Sequence, residues 1–170
     1  MADYDKPKEL MTYKCSLSDA LLKLGTEQTF GAGDAVIRAG AVNDNLYIVK
    51  EGIVRIYKRG DDKELTLLMG DDGDIILSAF SFHGGLPAVL TIETCCESVL
   101  IRISKDNFTK LLHRSHDIAR RACDVLFEQL FMLERKSSVF KGSAYERYKS
   151  MVAHRPDIFR RVSLKTIASY

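Results

Sequence analysis

Few residues of this chain stand in patterns that catalysis needs. Its four cysteines, Cys15, Cys95, Cys96 and Cys123, include no C-x-x-C pair, so their spacing supports neither a zinc nor an iron–sulfur site. They are also too few and too irregular for a disulfide framework, and the expectation is buried thiols acting as small hydrophobes. Among the histidines, only His83 falls between Glu27 and Ile103. The clustered His and carboxylate ligands of a metal-dependent jelly-roll enzyme are therefore absent, and no metal is expected. No G-x-S-x-G elbow, P-loop or Cys–His arrangement occurs either. The window Glu64 to Ile101 contains no Lys or Arg, while Glu64, Asp71, Asp72, Asp74, Glu93 and Glu97 lie within it. An anion buried there would face no cation, which is heavily penalised. These residues point away from an enzyme.

The charge is unevenly placed. Residues 1–104 carry 11 Lys/Arg against 16 Asp/Glu, and residues 105–170 carry 14 against 7. A basic C-terminal third suits a polyanionic partner such as nucleic acid, with Arg160, Arg161 and Lys165 as candidates for phosphate contacts. No apolar run approaches the ~18 residues of a membrane helix, so no membrane partner is expected. The opening MADYDKPKEL is acidic and polar, unlike a secretory signal, and a cytoplasmic location is expected.

The elements that must position these residues change character twice. Leu17–Leu24 reads as a short helix with Ser18 as cap and Gly25 as stop. From Glu27 to Ile103, short β-branched and aromatic runs alternate with glycine turns. The runs are Ala35–Ile37, Leu46–Val49, Ile53–Tyr57, Leu65–Met69, Val89–Ile92 and Val99–Ile103, with Arg59-Gly60-Asp61-Asp62 as a hairpin turn. This is the signature of a small antiparallel barrel or jelly roll. At Ser104 the period becomes helical, with Ser104 capping Lys105–Leu112. A second helix follows from about His116 to Phe140. Its stripes, Ala119-Cys123-Leu126-Leu130-Leu133-Phe140 and Ile118-Val125-Met132-Val139, with Phe127 and Phe131 beside them, exceed what one neighbour can cover. A second copy of the helix is the expected partner, through Ile118, Val125, Leu126, Leu130, Met132 and Leu133. Ser143-Ala144-Tyr145-Glu146 matches a capping box for a third helix to about Ala153. Ser163 then caps a helix that runs only to Tyr170, so a truncated chain is expected.

This organisation resembles the cyclic-AMP receptor protein/fumarate–nitrate regulator (Crp/Fnr) superfamily of bacterial transcription regulators. The resemblance is carried by Phe30–Gly40, Asp44–Val49, Glu51–Lys58, Gly73-Asp74 and Leu100–Ser104 leading into a helix, and it spans about residues 27 to 170. It implies an α+β chain in three parts: an effector-sensing β-barrel domain (1–115), a dimerisation helix (116–140), and the start of a winged helix-turn-helix DNA-binding domain (141–170). Arg161–Tyr170 looks like the first helix of that domain.

In cyclic-nucleotide-binding members the resemblance implies a phosphate cassette, F-G-E-(L/I)-(A/S) followed by P-R-(S/T)-A. Its arginine and backbone N–H groups neutralise the phosphate, and its glutamate binds the ribose. Here the matching residues are Ile75–Phe80 and Leu86–Val89, with Leu77 where glycine is expected, Ser78 in place of glutamate and Ala88 in place of arginine. Cyclic AMP is therefore disfavoured, while an effector pocket is still implied at Met69, Leu77, Ser78, Ala79, Phe80, Phe82, His83, Pro87, Ala88 and Val89. The iron–sulfur branch resembles a cluster of N-terminal cysteines, and only Cys15 lies there. A haem-based gas sensor is the alternative, with His83 as axial ligand in an apolar pocket. A stand-alone ligand-binding jelly-roll module is a further alternative, but it has no use for the basic tail. The expected function is a homodimeric DNA-binding regulator whose sensor domain takes a small effector other than a cyclic nucleotide.

Overall fold

The structure is a computed structural model. It describes residues 21–61, 63–139, 149 and 158–169, and gives only backbone at 128, 129, 132, 133, 135–139 and 159. Eight strands are present among the described residues: β1 (Thr26–Phe30), β2 (Ala35–Ile37), β3 (Asn45–Glu51), β4 (Val54–Arg59), β5 (Glu64–Gly70), β6 (Ile75–Ile76), β7 (Thr91–Thr94) and β8 (Ser98–Ser104). Five helices accompany them: α1 (Ala79–Phe82), α2 (Lys105–Arg114), α3 (His116–Val139), α4 (Ile158–Arg161) and α5 (Leu164–Ala168). The strands form two antiparallel four-stranded sheets, ordered β1-β8-β3-β6 and β2-β7-β4-β5. This is the jelly roll that the spacing of apolar runs and glycine turns predicts.

Side-chain alternation assigns the faces, because successive residues on a strand point to opposite sides. Tyr47, Val49 and Leu100 of the first sheet meet Val54, Ile92, Val36 and Ile37 of the second in the roll interior. Their neighbours Leu46, Ile48, Ile101 and Ile103 turn outward, where Leu21, Phe82, Ala122 and Val125 cover them. The second sheet has its own outer cover. Ile53 and Met69 pack there with Ile158, Val162 and Ile167 of α4–α5 and the region between them. Each buried Leu, Ile or Val of these layers is worth about 1.5–3 kcal/mol.

Local signals explain the breaks between elements. Ser104 accepts from the Asn107 N–H at 3.3 Å and starts α2, and Ser163 accepts from the Thr166 N–H at 3.2 Å and starts α5. Gly52 links β3 to β4 at φ +128, where a Cβ would lie 2.2 Å from the Ser98 hydroxyl oxygen. No side chain fits there without displacing β8.

Several readings from sequence change. The strand expected at Val89–Ile92 forms at Thr91–Thr94, because Leu86–Leu90 are spent on the connection from α1. β1 has a mostly exposed, polar sequence, TEQTF, and carries little apolar periodicity. Cys123, expected to be buried, is exposed on α3, while Cys95 and Cys96 are half-buried. Ile118 and Val125, assigned to a dimer face, pack against the roll of their own chain. They do so because Ile118, Ala122 and Val125 share the stripe that faces β3 and β8. Leu17–Ala20, Phe140 and the helix expected at Ser143–Ala153 lie outside the described residues or nearly so.

Candidate functional site

The expected effector site is built around α1 and its approach from β6. Ser78 caps the helix, its hydroxyl accepting from the Ser81 N–H at 3.4 Å. Ser81 is buried, and its hydroxyl accepts from the Asn43 N–H at 2.5 Å, tying α1 to the β2–β3 loop. Two backbone bonds reinforce that tie: Gly40 N–H to the Ala88 carbonyl at 2.7 Å, and Ala88 N–H to the Ala41 carbonyl at 2.9 Å. At the far end of α1 the Lys105 ammonium donates to the His83 carbonyl at 3.1 Å. That is the favourable place for a cation at a helix C-terminus. The cassette is thus held by the β2–β3 loop on one side and the start of α2 on the other.

The ten residues expected to line one pocket are divided by the structure among four environments. Ala88 is buried in the roll interior beside Tyr47, Val54 and Ile92. Phe82 and the half-buried Leu77 pack between the first sheet and the helices. Phe82 also makes an edge contact with Phe108 of α2, centroids 5.7 Å apart. Ala79, Phe80, His83, Pro87 and Val89 are exposed, with Phe80 at 56% and Val89 at 54%, and Ser78 is half-buried. Met69 does not belong to the site. It lies on the outer face of the second sheet against α4 and α5, because it stands opposite Arg55 in the β4–β5 ladder while Val54 and Ile56 take the interior. Ala88, which stands where the resemblance expects an arginine, is therefore a methyl group in an apolar cluster. No Lys or Arg side chain comes from the cassette itself.

A buried cation of the roll is committed elsewhere. Arg55 on β4 is buried on the outer face of the second sheet. Its Nη2 donates to Glu64 at 2.7 Å and to Glu93 at 2.9 Å, and its Nε donates to Glu93 at 3.1 Å. The guanidinium also lies 4.1 Å from the centre of the Tyr57 ring. Burial is the largest influence on Arg55 and opposes its charge, but the hydrogen bonds and charges of Glu64 and Glu93 outweigh it, so its pKa is raised. Burial, then the Glu93 charge and its hydrogen bond, raises Tyr57. Arg59, bonded to Glu64 at 2.9 Å, is the main reason the Glu64 carboxyl is held below its usual range. No local sequence pattern announces this network, whose members lie 9 and 38 residues apart. The available signal was an arginine flanked by Val54 and Ile56 in a buried strand.

The remaining candidates are also placed. Leu126 and Leu130 on α3 are exposed at 59% and 56%, and Phe127 and Phe131 beside them are exposed too. The side chains of Met132 and Leu133 lie outside the described residues. Arg160, Arg161 and Lys165 are exposed, while Ile158 and Ile167 of the same short helices and Val162 between them are buried. Among the described residues no helix is long and apolar enough to cross a membrane, and no three His, Cys, Asp or Glu side chains converge on a metal position.

The described residues thus form a two-sheet roll interrupted by a short helix and followed by a long one. Residues 27–115 match the family model described as the cyclic nucleotide-binding domain. The chain belongs to the cyclic nucleotide-binding domain family, with the fold of a Crp/Fnr-type sensor domain. It is 30% identical over 114 residues to the potassium/sodium hyperpolarization-activated cyclic nucleotide-gated channel 2 of Mus musculus, covering 66% of this chain and 12% of the channel. The chain thus spans about an eighth of the length of that relative. Among solved structures it is similar to the c-di-GMP-responsive global regulator CLP of Xanthomonas campestris, with a TM-score of 0.67, 21% identity, and coverage of 82% of this chain and 70% of that one. It is also similar to the catabolite activator protein of Thermus thermophilus, with a TM-score of 0.61, 15% identity, and coverage of 92% and 70%.

Proposed function

We propose that this chain is the sensor part of a homodimeric, DNA-binding transcription regulator, and that its effector is not a cyclic nucleotide. The observation that carries the second half is Ala88. It is buried in the apolar roll interior at the position where the resemblance expects the phosphate-binding arginine. A phosphate brought there would lose its water and gain no charged partner. Ser78, where the resemblance expects the ribose-binding glutamate, is used as the cap of α1.

Two features support a regulator over a free-standing binding module. The likeness to the two solved regulators runs over 82% and 92% of the chain, well beyond the roll. The tail carries a capped helix, α5, on which Lys165 is exposed and Ile167 is buried against the second sheet. Dimerisation would use the exposed Leu126, Phe127, Leu130 and Phe131 face of α3. The test uses a protein carrying this chain together with a complete helix-turn-helix. It should protect two inverted half-sites with centres about 10 base pairs apart, or a multiple, and bind less tightly as salt rises. Residues 1–170 alone should not distinguish that site from scrambled DNA, since base contacts come from a recognition helix. Sequence discrimination by residues 1–170 would refute this reading of the tail.

A further inference from the structure

The outer face of the second sheet is not open to solvent. Met69, Ile53 and the half-buried Cys95 and Cys96 lie under Ile158, Val162 and Ile167. β5 is the edge strand of that sheet, and an edge leaves N–H and C=O groups that must be covered. Here the tail covers it. The Thr66 N–H donates to the Ser169 carbonyl at 2.7 Å. The Thr66 and Ser169 hydroxyl oxygens are 2.6 Å apart. Ser169 donates its own proton to the Thr166 carbonyl at 2.7 Å, so Thr66 is the donor in the shared bond. Thr66 is fully buried as a result.

We propose that α4 and α5 form a releasable latch on the outer face of the β2–β7–β4–β5 sheet, with Thr66 and Ser169 as its catch, so that the state of the sensor roll and the position of the C-terminal segment are coupled. Three observations argue for release rather than permanent fusion. The seam buries three apolar side chains from two short helices and the link between them, far less than the roll interior holds. A cleft of about 210 Å³ opens along it, lined by Ile53, Asp71, Asp72, Ile158 and Arg161. The helices that dock have four and five residues and cannot persist alone. The route of coupling is short. Val54 and Ile92 face the roll interior, while Met69 on the paired strand packs under the tail and Arg55 and Glu93 share its outer face of the sheet. A ligand that repacks the interior strains the strands that carry the latch. Only this coupling rests on the sensor reading; the latch itself does not need it.

The seam contains its own reporter. The Cys95 thiol is pushed up to about 12, chiefly by burial, and its thiolate is therefore scarce. Cys123 on α3 is exposed and serves as the internal reference. In the full 170-residue chain, a maleimide pulse followed by peptide mass analysis should label Cys123 fast and Cys95 slowly. Ile167→Asp should raise Cys95 labelling by about tenfold or more without changing Cys123, since an opened seam restores both access and thiolate. The gentler pair Thr66→Val with Ser169→Ala should raise it by a smaller factor. Thermal unfolding of the roll, followed by far-ultraviolet circular dichroism, should stay cooperative in both. Equal Cys95 labelling in wild type and both variants would overturn the proposal, as would loss of the cooperative thermal transition in both variants, which would mean that the roll itself had unfolded. None of these readouts involves DNA or effector, so they stand whether or not the regulator reading does.

Discussion

Replacing Arg55 with methionine should cost about 3 kcal/mol of folding stability. The guanidinium side chain is 9% exposed and makes three charge-assisted bonds to Glu64 and Glu93. Removing one member of a buried ion pair costs about 3–5 kcal/mol, because the partner is left charged and dry. The lower figure applies here, since Glu64 keeps Arg59 and Glu93 keeps the Tyr57 hydroxyl at 3.1 Å. Methionine roughly preserves the volume, so the loss is electrostatic rather than a cavity. Urea unfolding followed by circular dichroism measures it directly. Adding Glu93→Gln to Arg55→Met should recover about 1 kcal/mol or more, because the stranded charge is then removed. The same network sets an acid dependence. A carboxyl with a lowered folded pKa contributes stability above its unfolded value of about 4.3, and that stability is lost as pH falls through the folded value. Glu64 is such a group, so wild-type stability should fall below about pH 4.3. Arg55→Met should soften that fall without abolishing it, since the Arg59 hydrogen bond is the larger cause. A loss under about 1 kcal/mol for Arg55→Met, with no recovery on adding Glu93→Gln, would refute this account of the outer sheet.

The other expectations are briefer. Leu126→Glu with Leu130→Glu should convert a dimer to a monomer in sedimentation at tens of micromolar, with the roll's unfolding transition unchanged, since both side chains are exposed in one chain. A wild-type chain that is already monomeric would contradict the α3 dimer. Gly52→Ala should cost about 2–4 kcal/mol, because φ +128 and the 2.2 Å approach to Ser98 admit no Cβ, and a loss within error would show that the β3–β4 corner relaxes freely.

Local rules made much of the fold legible. Ser104 and Ser163 each cap the helix expected of them, and the alternation in Leu46–Val49 and Val99–Ile103 places one set of side chains inside the roll and the other beneath the helices. What the sequence hid depends on which neighbour covers a face. Met69 and Ala88 read alike as pocket residues, but tertiary contacts put one under the tail and the other in the roll interior. Ile118 and Leu126 read alike as apolar stripe residues, but only the stripe of Ile118 and Val125 meets β3 and β8. Arg55 was invisible as a site residue because its partners, Glu64 and Glu93, lie 9 and 38 residues away. No local pattern reports such pairings. β1 was missed for the opposite reason, because a polar strand beside β8 carries little apolar period.

Under the proposed function, this chain does not hold a cyclic phosphate. Without the arginine and glutamate of the cassette, two charge-assisted interactions of about 1.5–3 kcal/mol each are missing. Binding should be weaker than in a member that has both by roughly two to four powers of ten. Titration calorimetry of the 170-residue chain with cyclic AMP and cyclic GMP tests this most directly. The account predicts no saturable heat below about millimolar ligand. Saturable binding at micromolar concentration or tighter, by either nucleotide, would contradict it.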